Sequence, residues 1–204
     1  MLKRFKEVIL LGTAPSRILC PYDVETWGVN GCYSIRATNE KEGKPFRMDK
    51  LFITDHTFSP IGTLHFDIDV MNKLGEDYKC QFITLHPIKL GKRKLKSIPF
   101  PYERITTKFK TDFLTSSICY MLAYALDKNY DKIRLYGIDM VSKSEYMTQK
   151  GGVEYWIGRA HERGCQVDIS KGSTVMVPPT YTPYGVDREL DMEKLDPYGL
   201  LGKK

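Results

Sequence analysis

Short continuous apolar runs alternate along the chain with stretches in which apolar residues recur every three or four positions. Runs such as residues 6–11 and 133–138 are typical of parallel strands that are buried on both faces. Four more segments have this character, at residues 24–29, 51–54, 79–85 and 165–169. Strands that alternate with helical segments predict an α/β protein, with a mostly parallel sheet and helices on both faces.

Helical periodicity is clearest over residues 115–128. Apolar residues recur there every four positions, at Leu114, Ile118, Leu122 and Leu126. Thr115 and Ser116 are the expected caps at the start of this helix, because their hydroxyls can accept hydrogen bonds from free backbone N–H groups. Asn129 is expected to end the helix, since Asn tolerates the left-handed conformation.

Two further helices are predicted over residues 64–74 and 153–163, and Gly164 is the expected end of the second one. Residues 31–47 and 86–104 show no clear periodicity. We expect them to be long connections, which in compact domains are usually functional or mobile.

The C-terminal part differs from the rest, because prolines break regular structure from residue 178 onward. The sequence therefore predicts a single domain over residues 1–177 and a proline-rich arm or tail over residues 178–204. Docking of this arm on a second copy of the chain would give a homodimer.

Composition narrows the class of protein only slightly. The chain has 204 residues, 42% of them hydrophobic, and a formal net charge of +6, which fits a folded domain with a mild preference for anionic partners. Five cysteines without a CxxC pair argue against a disulfide framework or a zinc site. No apolar run approaches the ~18 residues of a membrane span, and the apolar run near the start is too short for a secretory signal. We expect a cytoplasmic protein.

Small and polar residues follow the first two predicted strands. Gly12, Thr13, Ala14 and Ser16 come after the first strand, and Asn30 comes after the second. Ligands of open parallel sheets bind at the carboxyl ends of the strands, and hydroxyl and N–H groups at a helix start suit a phosphate. These residues are candidates for nucleotide binding, and ordinary turns are the alternative.

The start of the helix at residues 115–128 is a second candidate anion site, through Thr115 and Ser116, although simple capping explains the same residues. His56 follows the third predicted strand beside a carboxylate and is a candidate acid or base. Asp139 ends a buried strand, where a carboxylate is costly unless it is paired or functional.

No metal site is expected. The four histidines are dispersed, and the Asp67-Ile68-Asp69 sequence, which matches the DxD pattern of metal-dependent sugar transferases, falls in a predicted helix where alternate residues do not share a face. A basic run within residues 89–96 is either a solvated loop, a lid over phosphates or a nucleic-acid contact. It consists of Lys89, Lys92, Arg93, Lys94 and Lys96.

Several of these segments together resemble the bacterial sialyltransferases of the Campylobacter lipooligosaccharide type. Residues 114–126 (LTSSICYMLAYAL) and 130–139 (YDKIRLYGID) are similar to a Thr-Ser helix, a strand and a Gly-Ile-Asp sequence of that family. Residues 12–16 (GTAPS) and 27–30 (WGVN) are similar to its first loop and second strand. Related loops occur in motility accessory factor and pterin pyrophosphokinase-like proteins. The full chain also resembles a group of uncharacterised tailed-phage proteins, which would place it in the host cytoplasm.

The resemblance implies a Rossmann-like core and a metal-independent transferase that uses a nucleotide-linked sugar donor and no other cofactor. Six residues would then hold the cytidine nucleotide: Thr13, Ala14, Ser16, Asn30, Thr115 and Ser116. Tyr146 falls near a family tyrosine that contacts the phosphate. His56, His161 and Asp139 are the candidates that would deprotonate the acceptor.

The chain departs from this family at three positions. Thr13 stands where the family has Asn, Phe113 stands where it has Arg, and Tyr155 aligns with its catalytic His. A non-catalytic phage accessory protein that binds or sequesters a nucleotide or signalling molecule is therefore an alternative. A DNA-associated or structural phage protein is another.

Overall fold

The computed structural model describes residues 5–54, 68–90, 92–141 and 143–177, apart from the side chains of residues 90, 143, 144 and 146. These ranges contain nine strands: β1 (Glu7–Leu11), β2 (Glu25–Val29), β3 (Lys50–Ile53), β4 (Gln81–Thr84), β5 (Lys89–Leu90), β6 (Arg93–Lys94), β7 (Ser97–Pro99), β8 (Lys132–Tyr136) and β9 (Gln166–Ile169). The same ranges contain six α-helices: α1 (Ile35–Lys41), α2 (Ile68–Tyr78), α3 (Tyr102–Phe109), α4 (Ser117–Asp127), α5 (Lys143–Thr148) and α6 (Lys150–Glu162).

Seven of these strands form one sheet in the order β7-β4-β3-β2-β1-β8-β9, and every neighbouring pair is parallel. β5 and β6 form a separate antiparallel hairpin. The α/β class and the parallel sheet predicted from the apolar runs are confirmed, and the fold is Rossmann-like. All six predicted strands are present, with bounds that shift by at most two residues.

Helices cover both faces of the sheet. Parallel crossovers are right-handed, so α1 and α2, on the path from β2 to β4, lie on one face. α4 and α6 lie on the other face, because β8 and β9 are added in the opposite direction. α4 packs against β1, β2, β3 and α6. Tyr124 of α4 contacts the buried Trp27 ring of β2. That ring also packs against Phe52 and Tyr130, and the three centroid distances are 5.2–5.6 Å.

The observed helix ends agree in part with those predicted from the sequence. Asn129 and Gly164 have φ values of +55° and +74° and follow α4 and α6, as predicted. α2 buries the predicted Ile68, Met71 and Leu74, and it continues to Tyr78, whereas residues 64–67 lie outside the described part. The capping prediction is wrong in detail: Ser116 occupies the N-cap position of α4, but its side chain caps no backbone N–H.

The two predicted long connections consist largely of regular secondary structure. Residues 31–47 contain α1 and most of a 3-10 helix, Asn30–Ser34, and residues 86–104 contain the β5–β6 hairpin, β7 and the start of α3. α3 and α5 were not predicted at all. The predicted arm, residues 178–204, lies outside the described part, so the domain division and the dimer stay predictions.

The chain order of the strands creates a switch point at the centre of the sheet. β1 connects to β2 on one side, whereas β8, the other neighbour of β1, connects to β9 on the opposite side. In open α/β sheets, ligands bind outside the carboxyl ends of the strands at such a point.

Candidate functional site

A crevice of about 280 Å³ opens at this switch point. Five segments form its walls: the turn after β1, the end of β2, the start of α4, the turn after β8 and the segment from α5 to the start of α6. Its lining residues are Gly12, Thr13, Ala14, Val29, Asn30, Thr115, Ser116, Ser117, Ile118, Gly137, Ile138, Asp139, Met140, Glu145 and Gln149. The structure therefore brings together six of the seven predicted binding residues, and the seventh, Ser16, lies buried beside them.

The turns after β1 and β8 approach each other so closely that both need glycine. A Cβ atom on Gly12 would lie 2.1 Å from the Gly137 carbonyl oxygen, and one on Gly137 would lie 2.4 Å from the Gly12 oxygen. Gly137 also has a φ of +64°, which side chains rarely adopt. The Ala14 N–H donates to the Gly137 carbonyl at 3.0 Å, so the two turns form one floor.

Hydrogen bonds of Asp139 and Ser16 hold the two turns of this floor together. The fully buried Asp139 carboxylate accepts hydrogen bonds from the Ser16 N–H, at 3.0 Å, and from the Ser16 hydroxyl. The Ser16 hydroxyl accepts from the Gly137 N–H at 2.8 Å and from the Ser170 hydroxyl at 2.9 Å. These contacts favour a positioning role for both side chains, since their polar atoms are already engaged. The role of Asp139 as a base is untested and stays a prediction.

The start of α4 supplies the hydroxyl-rich wall. Ser116, Ser117 and Ile118 line the crevice there, and the first N–H groups of an α-helix have no acceptor within the helix. The Thr115 hydroxyl donates to the Gln149 carbonyl at 3.3 Å, which ties the wall to α6. The Ser116 hydroxyl lies 3.4 Å from the Cys119 sulfur.

No Lys or Arg is among the described lining residues, whereas Asp139 and Glu145 are. An anion in this crevice would therefore depend on N–H and hydroxyl groups and on the positive end of the α4 dipole. At the end of β1, where the Cys32 thiol donates to the Leu11 carbonyl at 3.2 Å, burial raises the pKa of this thiol to about 12, so it stays protonated at neutral pH.

Of the predicted acid–base residues, only Asp139 is among the described lining residues of the crevice. His161 is exposed near the end of α6, twelve residues after Gln149, which corresponds to about 18 Å along a helix. Tyr146 lies in α5, next to the lining residue Glu145, but its side chain is outside the described part. His56 also lies outside the described residues. The catalytic roles of these three residues stay predictions.

Phe113 and Tyr155, which the sequence resemblance aligns with an Arg and a catalytic His, pack against each other. Their ring centroids are 5.6 Å apart in an edge-to-face arrangement. The Phe113 carbonyl also accepts a hydrogen bond from the Trp156 indole N–H at 2.8 Å. This aromatic pair joins α6, which contains Tyr155, to the segment before α4, and it carries no charge.

A second, larger crevice of about 580 Å³ was not predicted. It lies between the 3-10 helix Pro15–Leu19 and α1, and it shares Thr13 with the first crevice. The first crossover contains only these five helical residues, which is too short to cover the sheet face. Pro21 is the sequence signal for this short crossover, because a proline after a short helical turn prevents its continuation.

No family model matches the chain, and no curated protein matches it. Two solved structures of the sialyltransferase CstII from Campylobacter jejuni are similar in fold. The complex with the substrate analogue cytidine-5'-monophosphate has a TM-score of 0.51 at 15% identity, and the complex with CMP-3FNeuAc has a TM-score of 0.50 at 16% identity. Each comparison covers 81% of this chain and 80% of the other chain. At this identity the likeness shows the fold alone.

The described residues contain no group of three or more His, Cys, Asp or Glu side chains that could hold a metal ion. None of the described helices has the length and apolar character needed to cross a membrane.

Proposed function

We propose that the 280 Å³ crevice binds the nucleotide of a nucleotide-linked sugar donor and that the protein is a glycosyltransferase-like enzyme that needs no metal. The observation that carries this proposal is the convergence of the turn after β1, Asn30 and the α4 start at the switch point. Cytidine monophosphate is the first candidate nucleotide, because a protein of similar fold has been solved in complex with it.

In the proposed reaction, the bond between the sugar carbon and the phosphate oxygen breaks, and the same carbon forms a bond to an acceptor oxygen. The acceptor proton passes to a base, for which His56, His161 and Asp139 are the candidates. The leaving nucleotide gains negative charge on its phosphate. N–H groups at the α4 start would stabilise that charge without a metal ion, since preorganised donors act most strongly where charge develops.

Calorimetric titration with CMP, UMP, GMP and AMP tests the binding step. The proposal predicts saturable binding of at least one of them, with CMP binding most tightly. Ser116→Ala removes one hydroxyl from the crevice and is expected to weaken binding roughly fivefold, the equivalent of one hydrogen bond of about 1 kcal/mol. Ser97→Ala, in β7 at the edge of the sheet, is the matched control and should bind as the wild type does. Absence of binding for all four nucleotides would overturn the proposal.

A second candidate function is nucleotide binding without transfer. The uncharged Phe113–Tyr155 pair favours it, since these residues stand at the family's Arg and catalytic His positions. Incubation of the protein with CMP-linked sialic acid and a panel of sugar acceptors separates the two candidates. Release of CMP that depends on protein concentration favours the transferase, and tight CMP binding without release favours the binding protein.

A further inference from the structure

The basic run within residues 89–96 is a hairpin with a fixed base. β5 and β6 pair antiparallel, with Lys89 opposite Lys94. The Leu95 N–H donates to the Ile88 carbonyl at 3.0 Å, and both of these side chains are buried in the core. The hairpin is therefore anchored where it leaves the sheet.

Contacts with α2 orient the hairpin. The Arg93 guanidinium lies 2.9 Å from the Asp69 carboxylate, and the Asn72 amide donates to the Lys94 carbonyl at 3.3 Å. Lys96, just beyond the hairpin, also contacts α2 through Glu76 at 3.7 Å. Lys94 and its partner Lys89 are exposed to solvent.

Three charges of this hairpin are unbalanced. Lys89, Lys92 and Lys94 are exposed, and none of the described carboxylates lies within 4.0 Å of their ammonium groups. Residues 78–102 contain no Asp or Glu. Like charges placed directly opposite each other in a β-ladder are destabilising, and a polyanion would remove that cost.

We propose that this basic hairpin, defined by Lys89, Lys92 and Lys94, binds the backbone of duplex DNA. A two-stranded β-ribbon fits the major groove of B-form DNA, whereas the deep and narrow major groove of A-form RNA does not admit side chains. The inference goes beyond the proposed function and does not depend on it.

The position of the hairpin is compatible with both activities. The hairpin follows β4 and therefore lies at the same carboxyl edge of the sheet as the crevice. Three strand spacings separate β4 from β1, a distance of about 14 Å.

The test is fluorescence anisotropy with a labelled 20-base-pair DNA duplex over a series of salt concentrations. The affected variant is Lys89→Gln/Lys92→Gln/Lys94→Gln. The control is Lys41→Gln/Lys79→Gln/Lys128→Gln, which changes the net charge equally. These exposed lysines precede β3, β4 and β8 and lie near the amino ends of the strands. If the hairpin lysines contact three phosphates, the slope of log affinity against log salt falls by about 2.7 in the hairpin variant. The control should keep the wild-type slope.

Equal slopes and affinities for the hairpin and control variants would overturn the inference, and so would tighter binding of an RNA duplex or of heparin than of DNA. The triple Lys→Arg variant keeps the charges and should bind as the wild type does, which separates loss of charge from a folding defect. CMP titration of the same wild-type sample tests the proposed function separately, because loss of CMP binding leaves the DNA result unaffected.

Discussion

Asp139 and Ser16 are 123 positions apart in the chain, and their buried contact joins two of the turns that form the crevice. Both Asp139 oxygens accept hydrogen bonds from Ser16. The sequence predicted that Asp139 is costly unless paired or functional, because it ends a buried strand. It could not predict the partner, since a Ser in a turn has no pattern that points to a distant carboxylate.

Asp139→Asn replaces one carboxylate oxygen by an amide that faces donors. We expect the free energy of unfolding to fall by about 2 kcal/mol, because a buried donor loses its acceptor. CMP affinity should fall as well, since the floor of the crevice loosens. Urea denaturation and calorimetry measure the two effects. Glu162→Gln, at an exposed carboxylate near the end of α6, should change stability by less than about 0.5 kcal/mol. Wild-type stability in Asp139→Asn would contradict the positioning role.

Gly152 lies where α6 passes the wall of the crevice. A Cβ atom there would lie 2.0 Å from the Thr115 hydroxyl oxygen and 3.1 Å from the Cys119 sulfur. Gly152→Ala is therefore expected to displace Thr115, to cost about 1–3 kcal/mol of stability and to weaken CMP binding. Thermal unfolding and titration provide the readouts.

Gly158, in the same helix, is the matched control for Gly152, because nothing lies within 4 Å of its Cβ position. Gly158→Ala should stabilise the protein by roughly 0.5–1 kcal/mol, since alanine loses less conformational entropy in a helix than glycine. Equal changes in stability and in CMP affinity in the two alanine variants would contradict the predicted displacement of Thr115.

Glu25 is predicted to make stability depend on pH. Burial raises its pKa, but hydrogen bonds from Lys50, Tyr130 and the Trp27 indole N–H together outweigh burial and hold the pKa below the usual 4.5. The folded state therefore binds this proton less tightly than the unfolded state does. The stabilisation is complete above about pH 4.5 and is lost as the pH falls through the lower pKa of the folded state.

Urea denaturation at pH 7 and in steps below pH 4.5 checks the Glu25 prediction. Glu25→Gln should be less stable than the wild type at pH 7, and the difference should shrink on acidification. A difference that stays constant over this pH range would show that Glu25 contributes no pH-dependent stability.

At the scale of elements, the sequence predicted the sheet better than its connections. The strand segments could be predicted because both faces of these strands are covered, so that runs such as residues 8–11 are entirely apolar and buried. α1 was missed because its seven residues, IRATNEK, bury only Asn39 and show no apolar stripe. β5 and β6 have two residues each and are formed by pairing with one another, which no local pattern encodes.

A substitution at the start of α4 can distinguish helix capping from anion binding, the two interpretations of this segment that the sequence left open. Ser116→Asp keeps a good N-cap residue and adds a negative charge at the positive end of the helix dipole. We expect stability to stay equal or rise by about 0.5 kcal/mol, whereas CMP affinity should fall at least tenfold through repulsion of the phosphate. Thermal unfolding and calorimetry measure the two effects. Unchanged CMP affinity would mean that no phosphate lies at this helix start.

At the scale of the whole molecule, strand order decides where a ligand can bind. Gly12 and Asn30 were predicted as candidates from the turns after two strands, and Thr115 from the start of a helix. Their convergence follows from the switch point between β1 and β8, and that order depends on pairings between strands more than 100 residues apart. The larger crevice beside α1 was missed for the same reason, since its walls come from separate crossovers.

The most direct test of the central claim is a crystal structure of the protein with bound CMP. The account predicts density for the nucleotide in the 280 Å³ crevice, with its phosphate within hydrogen-bond distance of N–H groups at the start of α4 and of the turn after β1. Density for CMP in the 580 Å³ crevice beside α1, or at any site away from Thr13, Asn30 and Thr115, would contradict it.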